Sequence, residues 1–214
     1  RQPPRSTLFP YTTLFRSIDG QNLFHQAKEA FGYTYPNYDP LRLAQAVCQN
    51  AGWRLTATYF YTGLPSAMDN PNWHRFWSAK MAVMGTRGVK TFGRELRYRN
   101  QTVRLPDGTR HTLLVSQEKG IDVRIALDVV RFALDDAYDV ALIFSQDQDL
   151  TEAVADVKRI SRLQQRWIKV ACAFPVSPVA SNRRGINGTD WIKLDRTTYD
   201  ACVDPNRYLP EVNP

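Results

Sequence analysis

Residues 138–145 (YDVALIFS) and 167–175 (WIKVACAFP) constrain the fold more than any other feature of the chain. Each is apolar almost without interruption, so neither offers a polar face to water. Strands of this kind are buried on both sides, which points to a parallel sheet covered by helices above and below. Residues 149–165 between them show helical period, as the crossover of a parallel pair requires. The aromatic, β-branched stretch WRLTATYFYTG over 53–63 and VKTFGR over 89–94 supply further strands, with Gly52 and Gly63 bounding the first.

The remaining signals fit the same plan. Residues 13–18 serve as a short first strand ending at the turn pair Asp19-Gly20. Helices are expected over 22–30, over 39–51 with Asp39 capping and Pro40 at the first position, over 70–84 and over 120–134. Alternation around Pro106-Asp107-Gly108 predicts a β-hairpin insertion over 95–116. WIKLD over 191–195 is a candidate edge strand. The fold class is therefore α/β: a three-layer α/β/α sandwich of Rossmann-like plan with a mostly parallel central sheet. One domain is expected over 18–208, with a short tail over 209–214. The opening RQPPRSTLFPYTTLFRS resembles translated sequencing-adapter read-through, so residues 1–17 are expected to be foreign, with LFRSI standing in for the native first strand.

Charge and cysteine content narrow the function. The net charge of +7 favours a polyanionic partner. Residues 87–104 carry six basic residues against one acid, interleaved with Phe92 and Tyr98, and a second basic run spans 158–169. Three scattered cysteines without a CxxC pair suggest neither a disulfide framework nor a cysteine zinc site, and fit a reducing, cytoplasmic setting. No apolar run approaches the ~18 residues of a membrane span, so no membrane partner is expected. The oligomeric state stays open, a homodimer included.

In a parallel sheet, ligands gather at the carboxyl ends of the strands. Asp19 follows the first strand, while Asp147 and Asp149 follow the strand over 138–145. Asp122 opens the helix over 120–134 on the face shared with Ile125, Val129 and Ala133, whereas Asp128 shares a face with Arg124 and Arg131 and is expected to be solvated. Ordinary readings exist for each: Asp149 with Glu152 matches a capping box, and Asp122 suits a helix N-terminus. Together, four carboxylates at one edge repel one another and call for a hard divalent cation, Mg²⁺ or Mn²⁺. Such an ion beside a basic surface suits phosphodiester hydrolysis.

The motifs IDGQNLF, EKGIDVRIALD and ALIFSQDQDLTEA, in this order, resemble the NYN domain of the LabA/DUF88 type, a branch of the PIN-like nuclease superfamily. GTDWIKLDRTTYDAC is similar to the ending of one group within it. The resemblance spans residues 17–208 and implies a PIN-like fold and metal-dependent RNA cleavage. It places catalytic and metal-binding roles on Asp19, Asp122, Asp147 and Asp149. Asn22 is then expected to orient Asp19 or touch substrate, Lys119 to meet phosphate, and Ser145 to open the fourth motif. That motif departs from the commoner SGDSDF, with Gln146 and Leu150 replacing glycine and phenylalanine. Arg97 and Arg99 on the hairpin are candidate RNA contacts.

Competing readings belong to other classes. One is an RNA-binding or protein-interaction module that turns over little substrate, although such a module has no need of four acids. Another is an aspartyl phosphotransferase, but IDGQN lacks the second acid of an Asp-x-Asp nucleophile motif. His25, His74 and His111 are isolated and have neither zinc nor triad spacing.

Overall fold

The computed structural model of the chain describes residues 13–53 and 56–208. Residues 1–12 of the suspect leader, residues 54–55 of the expected second strand and the tail 209–214 lie outside the described residues. The elements run β1 (Leu14–Asp19), α1 (Gly20–Phe31), α2 (Pro40–Ala51), β2 (Ala57–Leu64), α3 (Pro71–Thr86) and β3 (Lys90–Glu95). A ribbon of β4 (Arg97–Arg104) and β5 (Arg110–Gln117) follows, then α4 (Ile121–Leu134) and β6 (Val140–Phe144). A single 3-10 turn (Gln148–Leu150) leads into α5 (Thr151–Leu163), β7 (Lys169–Pro175), β8 (Asp190–Leu194) and α6 (Arg196–Asp200). Six strands pair in parallel in the order β3-β2-β1-β6-β7-β8, and β4-β5 form a separate antiparallel pair.

Alternation along β6 shows why its sequence had to be apolar throughout. Val140, Leu142 and Phe144 enter a core with Leu14, Ile18 and residues of α1, α2 and α3. Ala141 and Ile143 enter the opposite core with Ile125 and Val129 of α4 and Val157 of α5. Both faces exclude water, and each fully buried large side chain contributes about 1.5–3 kcal/mol of transfer free energy. Helix starts follow their sequence signals. Asp39 accepts hydrogen bonds from the N–H groups of Leu41 and Arg42, with Pro40 opening α2, and Asn70 caps α3 with Pro71 in the same position.

Tertiary packing changes three local expectations. Asp19-Gly20 is not a turn, because α1 starts at Gly20 itself. A Cβ at Gly20 would lie 2.5 Å from the Phe60 ring, so glycine lets α1 approach β2. Asp149 does not cap α5: Asp147 caps the 3-10 turn, accepting from the Asp149 N–H at 3.0 Å, and α5 begins at Thr151.

Asp128 is buried rather than solvated. It accepts from the Tyr61 hydroxyl at 2.9 Å and pairs with Arg124 at 2.9 Å and Arg131 at 3.5 Å. Tyr61 on β2 is itself buried and needs an acceptor, and α4 rolls far enough toward the sheet to provide one.

Residues 14–17 of the expected leader form the first four positions of β1, between β2 and β6. Leu14, Arg16 and Ile18 share a face by alternation, so Arg16 stands fully buried where an apolar residue belongs.

Candidate functional site

The chain leaves β1 toward β2 and β3, then returns to the other side of β1 through β6 and continues to β7 and β8. The reversal leaves a crevice beyond the carboxyl ends of β1 and β6, where open α/β sheets bind ligands. Ile18 and Phe144 are register partners, so Asp19 and the loop carrying Asp147 emerge side by side.

A cavity of about 500 Å³ opens there, lined by Asp19, Asn22, Glu118, Lys119, Asp122 and Asp147, with Gln21, His25, Gly120 and Val123 completing it. Asp19 ends β1 and caps α1, accepting from the Asn22 N–H at 3.0 Å. Asp122 lies in the first turn of α4, and Asp147 precedes the 3-10 turn after β6. Asn22 joins these parts. Its backbone holds Asp19, and its side-chain carbonyl accepts from the Gln146 N–H at 3.0 Å.

Sequence reasoning missed Glu118, whose position beside the Lys119-Gly120-Ile121-Asp122 motif was the available signal. Its Oε2 accepts from the Gly63 N–H at 2.6 Å, while Gln21 donates to the Gly63 carbonyl at 3.4 Å. A Cβ at Gly63 would lie 2.6 Å from Glu118 Oε2 and 2.3 Å from Leu96 Cδ2. Glycine at the end of β2 thus lets two cavity-lining side chains hold the N–H and the carbonyl of one residue.

The cavity is electrostatically uncompensated. Burial pushes the Asp19 carboxyl up to about 7, opposed by the Asn22 N–H and reinforced by Glu118, Asp147 and Asp122. Burial likewise raises Glu118, with Asp122 adding to it and the Gly63 N–H opposing it. Carboxylates such as Asp19 and Glu118, driven toward protonation by burial and by the acids beside them, are the situation that a hard cation relieves.

Asp149 is not brought into this cavity. It is exposed and lines an adjoining groove between α4 and α5, together with Asp122, Glu152 and Asp156. Ser145 is buried, and its Oγ accepts from the Asp147 N–H at 3.1 Å, a loop-fixing bond. Lys119 is exposed at the cavity rim. Arg97 and Arg99 are exposed on the ribbon and do not line the cavity.

The two glutamines of SQDQD have a structural explanation. Gln146 donates to the carbonyls of Arg184 at 2.9 Å and Asn182 at 3.3 Å, and Gln148 donates to that of Gly185 at 3.0 Å. A glycine in place of Gln146 would leave the loop after β7 with only the Gln148 tie of these three.

Among the described residues, no three His, Cys, Asp or Glu side chains stand close enough together to hold an ion as they lie. The donor set nevertheless fits one. Hard carboxylate oxygens of Asp19, Asp122 and Asp147 face one cavity, and their charge has no cationic partner in its wall other than Lys119 at the rim.

A parallel sheet with an acid-lined crevice at its switch point is an α/β domain whose ligand crevice suits a hard cation. The NYN domain model matches residues 17–163, and the chain belongs to that family, whose members are generally nucleases that use divalent metals. No curated protein matches the chain. Among solved structures, a protein of unknown function from Vibrio parahaemolyticus is similar in fold, with a TM-score of 0.53 and 16% identity over 89% of this chain and 98% of that one. None of the described helices is long and apolar enough to cross a membrane.

Proposed function

We propose that the chain is an endoribonuclease that hydrolyses RNA phosphodiester bonds with Mg²⁺ or Mn²⁺ held by Asp19, Asp122 and Asp147. The observation that carries this reading is the buried Asp19 carboxylate, pushed up to about 7 by burial and by the acids that face it. When bound, such an ion lowers the pKa of a water and offsets charge on the phosphate. Asp19 is aimed by the Asn22 N–H and Asp147 by the Asn22–Gln146 bond, so the two carboxylates keep a set separation. Glu118, held by Gly63, adds a fourth acid to the cavity and replaces Asp149 in the role the resemblance implies. Asp149 acts through its backbone, which holds Asp147. Lys119 stands at the rim, where a phosphate of the entering strand would pass. Hydrolysis by such an activated water needs no covalent enzyme intermediate.

The test is cleavage of labelled single-stranded RNA with Mn²⁺, Mg²⁺ or EDTA, beside Asp147→Asn. Metal-dependent cleavage that falls at least roughly hundredfold in the variant supports the proposal. Cleavage that ignores both EDTA and the variant overturns it. A second reading, an RNA-binding module with little turnover, is favoured by the spread of the acids, no three of which stand close enough to share an ion among the described residues. Tight RNA binding without cleavage under any metal would establish that reading instead.

A further inference from the structure

Two exposed surfaces of the chain lack partners, and each has what the other needs. The first lies on α4, where exposed Val123, Leu127 and Leu134, with half-buried Val130 between the last two, recur at spacings of four, three and four residues, the seam of a helix that packs on something. Leu127 is 62% exposed. Beside this stripe, the groove of about 360 Å³ between α4 and α5 is rimmed by Asp149, Glu152 and Asp156. An acid-rimmed apolar groove repels a polyanion, so RNA is not its occupant. The second surface is the β4-β5 ribbon. Register and alternation put Arg97, Arg99 and Val103 of β4 on one face with His111, Leu113 and Val115 of β5. Leu113 is 53% exposed, and neither Arg97 nor Arg99 has a charged partner among the described residues. Apolar side chains between cations suit a protein groove better than a phosphate backbone.

We infer that the ribbon of one chain docks in the α4/α5 groove of a second copy, and reciprocally, forming a two-fold dimer. Arg97 and Arg99 meet Glu152 and Asp156 of the other copy, and Leu113 and Val103 cover Leu127 and Val123. Arg97 and Arg99 stand at the root of the ribbon, where Leu96 bonds to Leu64 and Tyr98 to Ser66, so the bodies of the two copies come together at this contact while Val103 and Leu113 reach further along the groove. Reciprocal exchange makes the contact closed, as expected of a symmetric dimer. Asp122 lines both the acidic cavity and the groove, so the docked ribbon would border the partner's cavity. The inference stands apart from the nuclease reading because its readout is mass.

The test is sedimentation equilibrium of the full chain, with Glu152→Lys/Asp156→Lys and Arg97→Glu/Arg99→Glu as paired variants. All four positions are exposed, and far-UV circular dichroism checks that the fold is retained. The wild type is expected at twice the 24.6 kDa of one chain, and each double variant alone is expected to dimerise at least about tenfold more weakly. An equimolar mixture of the two variants should recover the dimer, because both reversed surfaces then face opposite charge. A wild type that stays monomeric overturns the inference, as do variants that dimerise undiminished or a mixture that stays apart. Monomers whose RNA affinity and salt slope fall with Arg97→Glu/Arg99→Glu would assign the ribbon to RNA instead.

Discussion

The side-chain carbonyl of Asn22 accepts a hydrogen bond from the backbone N–H of Gln146 at 3.0 Å, across 124 residues of sequence. One residue of α1 therefore sets the position of the loop after β6, while its own N–H holds Asp19. Asn22 stands behind both of the carboxylates that flank the switch point.

Asn22→Ala should keep the fold and the Asp19 backbone bond but release the Asp147 loop. RNA cleavage is expected to fall about 10–100-fold, with metal affinity falling alongside it, as for other partners that orient ligands. Metal titration by calorimetry together with kcat and KM separates this from a substrate contact. A rise in KM alone, with metal affinity unchanged, would count against the positioning role.

The acidic cavity makes stability depend on pH in a direction opposite to the usual carboxylate. With Asp19 near 3.8 unfolded and at about 7 folded, the folded chain holds a proton that the unfolded chain has lost. Stability without metal should fall as pH rises from about 4 to about 7 and then level off, by on the order of 4 kcal/mol. Asp19→Asn keeps a capping side chain and should flatten that slope. Urea unfolding across this range, with and without Mn²⁺, measures it. A wild-type profile as flat as the variant's would refute the assignment.

Arg16 is a stability defect in the central strand. Its Nε donates to the Ala57 carbonyl at 3.2 Å, but its Nη2 is buried without a partner. Burial pulls the guanidinium down to about 10. Arg16→Met keeps most of the volume and removes the buried charge, so stability should rise by about 1–4 kcal/mol. The urea midpoint should increase with an unchanged m-value.

Lys80 is the converse case, a buried charge that is matched. Its Nζ donates to Asp204 and to the Tyr38 carbonyl, both at 2.8 Å, and the pair anchors the segment after α6 onto α3. Burial works against the Asp204 carboxylate, but Lys80 holds it below its ordinary value. Its contribution is therefore present above the unfolded pKa and lost as pH falls through the folded one. Asp204→Ala should cost about 3–5 kcal/mol at neutral pH, and Lys80→Met in the same chain should recover much of that. Thermal unfolding of the single and double variants tests the coupling.

Near neighbours in the sequence determined most of the architecture. Uninterrupted apolar runs specified strands buried on both faces, and Asp39-Pro40 and Asn70-Pro71 marked their helices because a cap and its N–H groups lie within three residues. The four aspartates were legible for the same reason, since each follows a strand or opens a helix. What only the tertiary structure decided is which acids share a cavity. The roll of α4 depends on Tyr61 reaching Asp128 across 67 residues, and the path of the SQDQD loop depends on Asn22 and on the loop after β7. Glu118 faces the cavity because the end of β2 offers it the Gly63 N–H, and Asp149 leaves because the 3-10 turn points it toward α5. Periodicity encodes which side of an element is apolar. The rotation that brings a particular carboxylate into a crevice is set by hydrogen bonds between distant segments, and those exist only once the sheet has formed.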